Sequence, residues 1–461
     1  MFFRINPHLL VMNYRFQNIA SPTKKQFVCK YKIILNLIFL ILITRISFAY
    51  NTFPYHDVQR IVNIKNYYSQ DSIKSIKIHL SGWELSDPIV ELNTTESVTL
   101  RFDDLSDMGN SFSYTIVHCT KDWEPSNLTF YDYLDGFEFN PVKSSQNSMG
   151  TIVPYTHYQV QIPNEDVKLK LSGNYLIRVV DTYDYSRTFF EVRFRVIEPI
   201  IAINTSIIQP LNADKRMTSQ QLNLTFSTNT LMISNPLAEI YTNIYQNGQV
   251  DELFLNLKPY YVNGKELQYT SPDGLIFNGV NEFRSFDIKS IRYTSPRIAN
   301  ILQVNGETGI MLKPDENRSK QKYSSDQDIN GRYLIKLENS EQSELEADYL
   351  WVYFSLPSEE LMNREVYIYG DLSGWECKSS YKMHYSLQRQ AYELRILLKQ
   401  GFYNYRYVVK DILSGKVDQT FFEGNYYDTE NNYLVLIYYR QPGVRYDRLV
   451  GMKRINTRNT L

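Results

Sequence analysis

The chain has 461 residues, with 49 lysines and arginines against 50 aspartates and glutamates. Because this charge is balanced and forms no basic stripe, the composition argues against nucleic acid or an anionic membrane as the main partner. The length predicts about two to four domains. The many tyrosines (38) and phenylalanines (24) are typical of half-buried sheet surfaces and of protein interfaces.

The first predicted element is a secretory signal peptide with an extended n-region over residues 1–49. Four lysines precede an apolar run at 33–43, and the small residues around Ser47-Phe48-Ala49 predict cleavage before Tyr50. The apolar run is far shorter than the roughly 20 residues of a spanning helix, although an uncleaved membrane anchor is the alternative. Cys29 precedes this run, which argues against a lipid anchor. We therefore expect an exported, soluble protein.

Period-two alternation of apolar and polar residues predicts strands along the rest of the chain. In a first domain, residues 50–199, these strands fall at 75–80, 97–102, 157–162, 175–180 and 190–196. The last of them ends at Glu198-Pro199, where a proline interrupts the pattern. This change in pattern predicts a domain boundary near residue 200.

A second β-rich domain is predicted over residues 200–345 and a third over 346–451, followed by a short tail at 452–461. Tight-turn dipeptides at Asn247-Gly248 and Asn305-Gly306 indicate hairpins in the second domain. Long helical periodicity is essentially missing. We therefore predict an all-β fold of tandem immunoglobulin-like β-sandwich domains.

The side chains that nucleophilic or metal catalysis needs are sparse after the leader, namely His56, His79, His118, His157, His384, Cys119 and Cys377. His118 and Cys119 are adjacent, and neighbours on a strand point to opposite faces, so they cannot form a dyad. The two cysteines are expected to be unpaired thiols. Paired carboxylates at Asp103-Asp104 and in the segment from Asp132 to Gly136 lack the spacing of a calcium loop and are interpreted as turn and cap residues. We predict no catalytic residue, no cofactor and no metal ligand.

Two segments near the C-terminus, 366–375 and 401–409, resemble the glycogen-binding and isoamylase N-terminal modules. This resemblance implies an immunoglobulin-like sandwich, in which Trp375 is a candidate for stacking on a sugar. A second aromatic platform is expected near residues 410–413, and Lys410-Asp411-Ile412-Leu413 supplies none. A purely structural sandwich is thus favoured, and a secreted carbohydrate-binding protein is the alternative function.

Longer motifs run through the whole mature chain. They include Gly82-Trp83-Glu84-Leu85-Ser86-Asp87-Pro88-Ile89, Tyr114-Thr115-Ile116-Val117-His118-Cys119, Asp328-Ile329-Asn330-Gly331-Arg332-Tyr333 and Tyr438-Tyr439-Arg440-Gln441-Pro442-Gly443-Val444-Arg445-Tyr446-Asp447-Arg448-Leu449. In these motifs the chain resembles the type IX secretion system plug protein family over residues 55–451.

The resemblance implies a non-enzymatic role. The protein would be a periplasmic plug that blocks the periplasmic opening of the outer-membrane translocon barrel in its resting state. The barrel is the implied partner, without nucleic acid or small-molecule substrate, and the protein is expected to be monomeric apart from it and peripheral to the outer membrane. Buried Tyr and Arg anchors dominate many interfaces. The candidate partner-binding residues are therefore Arg284, Arg292, Tyr438, Tyr439, Arg440, Arg445, Tyr446 and Arg448. The alternative for the C-terminal group is that it packs the tail onto the second or third domain.

Overall fold

The computed structural model describes residues 72–107, 109–249, 254–271, 274–304 and 307–459. The predicted signal peptide and the expected mature N-terminus at Tyr50 lie outside the described residues. The described residues are mostly strand, so the all-β prediction is confirmed. Helices there are single turns at Phe130–Tyr133 (α1), Pro236–Glu239 (α2) and Ser343–Glu346 (α3).

The first part of the chain carries strands that all end before residue 198. They are Ile73–Leu80 (β1), Ile89–Glu91 (β2), Val98–Asp104 (β3), Phe112–Cys119 (β4), Leu134–Gly136 (β5), Asn140–Pro141 (β6), Ser144–Asn147 (β7), Thr156–Ile162 (β8), Val167–Leu169 (β9), Gly173–Asp181 (β10) and Thr188–Ile197 (β11).

These strands form two main sheets packed around one core. One sheet has the order β1-β3-β8-β7 and the other β2-β11-β10-β4-β6, while β5 pairs with β9. The alternation along β11 explains the packing, because Phe190, Val192 and Phe194 enter the core. On the other face of β11, the Arg193 guanidinium lies over the Trp123 ring at 4.5 Å. The predicted strands of this part are confirmed, since each overlaps one of these elements; β3 begins one residue later than its predicted strand at 97–102.

The middle of the chain contributes shorter strands. They are Ile203–Ile208 (β12), Ser219–Ser227 (β13), Ile240–Gln246 (β14), Tyr261–Asn263 (β15), Glu266–Gln268 (β16), Leu275–Asn278 (β17), Arg284–Asp287 (β18), Ile298–Val304 (β19), Glu307–Leu312 (β20) and Tyr333–Ile335 (β21). One sheet has the order β12-β13-β16-β15, with β17 also on β13.

The last part of the chain contains the longest strands. They are Tyr349–Pro357 (β22), Arg364–Tyr369 (β23), His384–Ser386 (β24), Ala391–Lys399 (β25), Gly401–Asp411 (β26), Val417–Asp418 (β27), Asn432–Tyr439 (β28) and Arg448–Asn456 (β29). Short 3₁₀ turns lie at Ala213–Lys215, Asp371–Ser373, Ser379–Tyr381 and Thr457–Asn459.

The sheets of the middle and last parts are shared between them. The order β14-β28-β29 pairs Ile240 with Tyr439, and β18 and β21 both pair with β26. A further sheet has the order β19-β20-β22-β25-β24, in which β20 and β22 are parallel. Hydrogen bonds therefore join segments on both sides of residue 346. The division into domains at residues 50–199, 200–345 and 346–451 stays a prediction.

Candidate functional site

Two of the predicted partner anchors lie inside the fold. Tyr438 and Tyr439 end β28 and are 0 % and 2 % exposed. The Tyr438 hydroxyl donates to Asn174 Oδ1 at 2.8 Å, and the Tyr439 hydroxyl donates to the carbonyl of Met232 at 2.9 Å. A partner cannot contact a side chain that the core covers. This burial corrects the interpretation of both tyrosines as interface residues.

Arg284 is also buried, in a cluster of charged side chains. Its Nε donates to Glu423 Oε1 at 3.0 Å and its Nη1 to Asp315 Oδ1 at 2.9 Å. Burial alone would raise the pKa of Glu423, but Arg284 and Arg318 more than offset this and lower it to about 2. Arg284 thus holds the fold together and is unavailable to a partner, whereas Arg292 lies exposed on the loop after β18.

The C-terminal arginines bind acidic residues of the first part of the chain. Arg448 Nη2 lies 2.6 Å from Glu198 Oε2, and its Nε lies 3.2 Å from Oε1. Arg445 is exposed and its Nη2 lies 3.4 Å from Asp132 Oδ2. The C-terminal group therefore packs back onto the chain, as the alternative interpretation had it. Tyr439 contacts the second predicted domain, while Arg445 and Arg448 contact the first part of the chain, which that interpretation did not include.

The residues between these arginines follow the same course. Arg440 Nη1 lies 3.2 Å from Asp447 Oδ1, and Asp447 Oδ2 accepts from the backbone N–H of Lys121 at 2.9 Å. The ring of Tyr446 meets the ring of His118 edge-on, with centroids 5.7 Å apart. Arg440 and Tyr446 are half-buried, so each has some surface left.

The adjacent pair His118 and Cys119 is separated by the strand geometry, as expected. His118 Nδ1 lies 3.0 Å from Ser126 Oγ and its Nε2 3.2 Å from the carbonyl of Ser172, while Cys119 Sγ donates to the carbonyl of Val117 at 3.7 Å. Burial lowers the pKa of His118 to about 4 and raises the pKa of Cys119 to about 12. A thiol with such a pKa is a poor nucleophile near neutral pH.

Trp375 is packed against other aromatic rings. Its ring makes edge-on contacts with Phe283 and Tyr369, with centroids 5.9 Å and 5.7 Å apart. Gly331 lies beside it, where a Cβ would come within 2.4 Å of the indole. These contacts account for the tryptophan by packing, which favours the structural interpretation over sugar stacking.

Sequence reasoning missed a buried charged hub centred on Asp103. The carboxylate lies within β3 and accepts from Tyr349 at 2.7 Å and from Lys399 Nζ at 2.6 Å, while His157 Nδ1 lies 2.6 Å away. Asp103 is therefore not a turn residue, which corrects that interpretation. Asp104 does cap the following loop, since it accepts from the backbone of Ser106 at 3.0 Å. The available signal was an acidic residue inside an alternating strand pattern.

Three carboxylates, of Glu282, Asp328 and Glu430, each offer an oxygen within 4.8 Å of the others. Tyr323 donates to Glu282 Oε1 at 2.6 Å, and Asn330 Nδ2 donates to Glu430 Oε1 at 3.0 Å. Burial, with a smaller contribution from the neighbouring carboxylates, raises the pKa of Glu282 to about 7. These are the described side chains best arranged to hold a cation, and the prediction of no metal ligand did not anticipate them.

An aromatic patch lies at one end of the second sheet and consists of Phe137, Tyr183 and Tyr185, which are exposed, and Phe139, which is half-buried. The pairing of Asp181 with Phe112 and of Asn140 with Tyr114 brings the two loops to the same end. Phe139 and Tyr185 stack with centroids 4.1 Å apart, while Phe137 and Tyr183 are 71 % and 88 % exposed. Exposed aromatic side chains gathered at one end of a sheet are typical of protein interaction sites.

Within the described residues, none of the helices is long and apolar enough to cross a membrane. The fold and these sites define an all-β protein built from several packed sheets. The family model described as the first domain of the type 9 secretion system plug protein matches residues 73–198.

A crystal structure of a hypothetical protein from Parabacteroides merdae is similar along most of the chain. It is 32 % identical, covers 84 % of this chain and 98 % of its own, and superimposes with a TM-score of 0.80. A comparison with curated proteins finds no match. Through residues 73–198, the chain carries the first domain of the type IX secretion system plug protein family.

Proposed function

We propose that this protein is a non-enzymatic periplasmic plug of the type IX secretion system. In this proposal it docks against the periplasmic mouth of the outer-membrane translocon barrel and blocks it while no substrate passes. The observation that carries the proposal is the family match over residues 73–198. The similarity to a solved structure over 84 % of the chain extends the support beyond that segment.

The proposed role needs export, a fixed shape and no chemistry. The lysine-rich segment, interpreted as a leader with a predicted cleavage point before Tyr50, supports a periplasmic location, peripheral to the outer membrane. The high pKa of the Cys119 thiol and the separation of its side chain from His118 support the absence of catalysis by that pair. We further propose that the protein is monomeric apart from the translocon.

We assign the barrel contact to the aromatic patch. Large aromatic side chains dominate the energy of many interfaces when a partner covers them, and Tyr183 and Phe137 have most of their surface free. Arg292 and Arg445 are exposed and remain candidates for secondary contacts with the barrel outside the aromatic patch. In this proposal the buried candidates Arg284, Tyr438 and Tyr439 do not contact the barrel and serve only to stabilise the fold.

The assignment is tested by co-purification of the tagged protein with the barrel from solubilised outer membranes. The variant Tyr183→Ala/Tyr185→Ala should lose the barrel while keeping its thermal midpoint within a few degrees. A matched control replaces two exposed tyrosines of the middle part, Tyr260 and Tyr261, by alanine and should retain the barrel. Equal binding by both variants would refute the assignment to the patch.

The plugging role itself is tested in cells. Deletion of the protein should let a large hydrophilic dye cross the outer membrane, because an aqueous barrel without its plug stays open. The patch variant should leak in the same way and the tyrosine control should not. An outer membrane that stays tight in the deletion strain, with the barrel still present, would refute the role as a plug.

A further inference from the structure

The carboxylate cluster of Glu282, Asp328 and Glu430 joins three segments that are distant in sequence. Glu282 precedes β18, Asp328 lies in the loop before β21, and Glu430 precedes β28. Their ligand oxygens converge within 4.8 Å. Like charges at this distance repel in a poorly solvated site, so the three carboxylates need a bound cation or a shared proton between them.

Two unpartnered atoms point to a ligand at this place. Among the described residues, Glu282 Oε2 and Asn330 Oδ1 are buried without a hydrogen-bond partner, and the two residues are 1 % and 6 % exposed. The Asn330 amide lies at the cluster, because its Nδ2 donates to Glu430 Oε1 at 3.0 Å. Buried acceptors with no donor are costly, and a bound cation would satisfy both.

The other oxygens of the cluster are held in place by donors. The backbone N–H groups of Phe283 and Asn330 donate to the two Asp328 oxygens at 2.5 Å and 2.7 Å. The N–H of Glu430 donates to Glu282 Oε1 at 3.1 Å. These bonds fix the carboxylates and leave the second oxygen of Glu282 free to face a ligand.

We propose that Glu282, Asp328 and Glu430, with the amide oxygen of Asn330, bind a divalent cation of the Ca²⁺ class. The set offers only oxygen atoms, which hard cations prefer, and no His or Cys that would favour zinc. The ligands come from irregular loops, and such sites suit the flexible coordination of Ca²⁺ better than the strict octahedron of Mg²⁺.

The cation would connect the loops that lead into β18, β21 and β28, and so would stabilise the junction of the shared sheets. The surroundings supply only partial compensation for the three carboxylates. Arg458 Nη2 lies 4.0 Å from Glu282 Oε1, and its side chain is 44 % exposed. The competing explanation is a proton held by Glu282 instead of a metal ion.

The test uses the purified, exported protein, first treated with a chelator. Ca²⁺ alone is titrated up to about 10 mM, which exceeds the Kd of about 10⁻³ M of weak extracellular sites. Binding is measured by calorimetry and by the thermal midpoint, which rises with occupancy when a ligand binds the folded state. Terbium adds an optical readout, because Tyr323 lies close enough to sensitise its luminescence.

We expect one saturable site and a rise in thermal midpoint. Glu282→Gln and Glu430→Gln should each weaken binding about tenfold or more, since one charged ligand is neutralised. Asp326→Asn, an exposed carboxylate in the same loop, is the matched control and should leave binding unchanged.

The wild-type titration keeps the test decisive even where a variant fails to fold. Absence of saturable Ca²⁺ binding by the wild-type protein would overturn the proposal and assign the cluster to a shared proton. Unchanged affinity in both glutamine variants would overturn the ligand set. Binding of Mg²⁺ as tightly as Ca²⁺ would overturn the assignment of the cation.

Discussion

Replacing Asp103 by asparagine is expected to destabilise the protein more than any surface substitution. Lys399 is buried, and its ammonium has Asp103 Oδ2 at 2.6 Å as its counterion, with the carbonyl of Glu344 at 2.7 Å. The substitution leaves that ammonium buried and charged without its carboxylate. His157, whose Nδ1 lies 2.6 Å from Asp103 Oδ1, also loses the negative charge of its hydrogen-bond partner.

Removing one partner of a buried ion pair costs about 3–5 kcal/mol. We therefore expect Asp103→Asn to lower the free energy of unfolding by about that amount. The double variant Asp103→Asn/Lys399→Met removes both charges and should recover most of the loss, because a well-packed apolar pair often replaces a buried ion pair at little cost. Urea unfolding of the wild type, both single variants and the double variant gives the coupling energy.

Glu393→Gln is the matched control. Glu393 Oε1 lies 2.7 Å from Nη1 of Arg389, whose side chain is 67 % exposed. Exposed pairs of this kind contribute at most about 1 kcal/mol. The reasoning fails if Asp103→Asn costs no more than this control. It also fails if the effects of Asp103→Asn and Lys399→Met simply add, since that result would mean the two charges do not interact.

Three further outcomes follow from the contacts. Replacing Arg445, Tyr446 and Arg448 by alanine should lower the stability by about 2 kcal/mol in urea unfolding while the barrel still co-purifies, because these side chains bind the first part of the chain. The pKa of His118 is about 4 when folded and about 6.5 when unfolded, chiefly through burial. Because the unfolded state therefore binds more protons, the free energy of unfolding should fall by up to about 3 kcal/mol as the pH drops from 6.5 to 4. A His118→Gln variant, unfolded at the same pH values, should lack this loss. Gly331→Ala should cost about 2 kcal/mol or more in thermal unfolding, because the φ of +79° and the 2.4 Å approach of a tryptophan ring both exclude a Cβ.

The sequence predicted what depends on local pattern. The alternation over 190–196 predicts β11 and its inward face, because one strand and one buried side suffice to define it. The pair Asp103 and Lys399 could not be predicted, since 296 residues separate them and only the folded sheets bring them together. The interpretation of Tyr438 and Tyr439 as interface residues was wrong for the same reason. A run of tyrosines and arginines is typical of an interface, and only the pairing of β28 with β14 shows that both tyrosines are buried.

The buried charges lie where different parts of the chain meet, which bears on the proposed role. The buried pair of Asp103 and Lys399 joins the first sandwich to β25. A half-buried pair, Arg332 Nη2 and Asp87 Oδ1 at 2.6 Å, joins it to the loop before β21. Buried ion pairs add little net stability over apolar packing, but they are satisfied in only one geometry. A body that closes an aqueous opening depends on the match between two surfaces, so a fixed arrangement of its parts matters more than extra stability. These junctions would hold the exposed aromatic patch in one orientation toward the barrel.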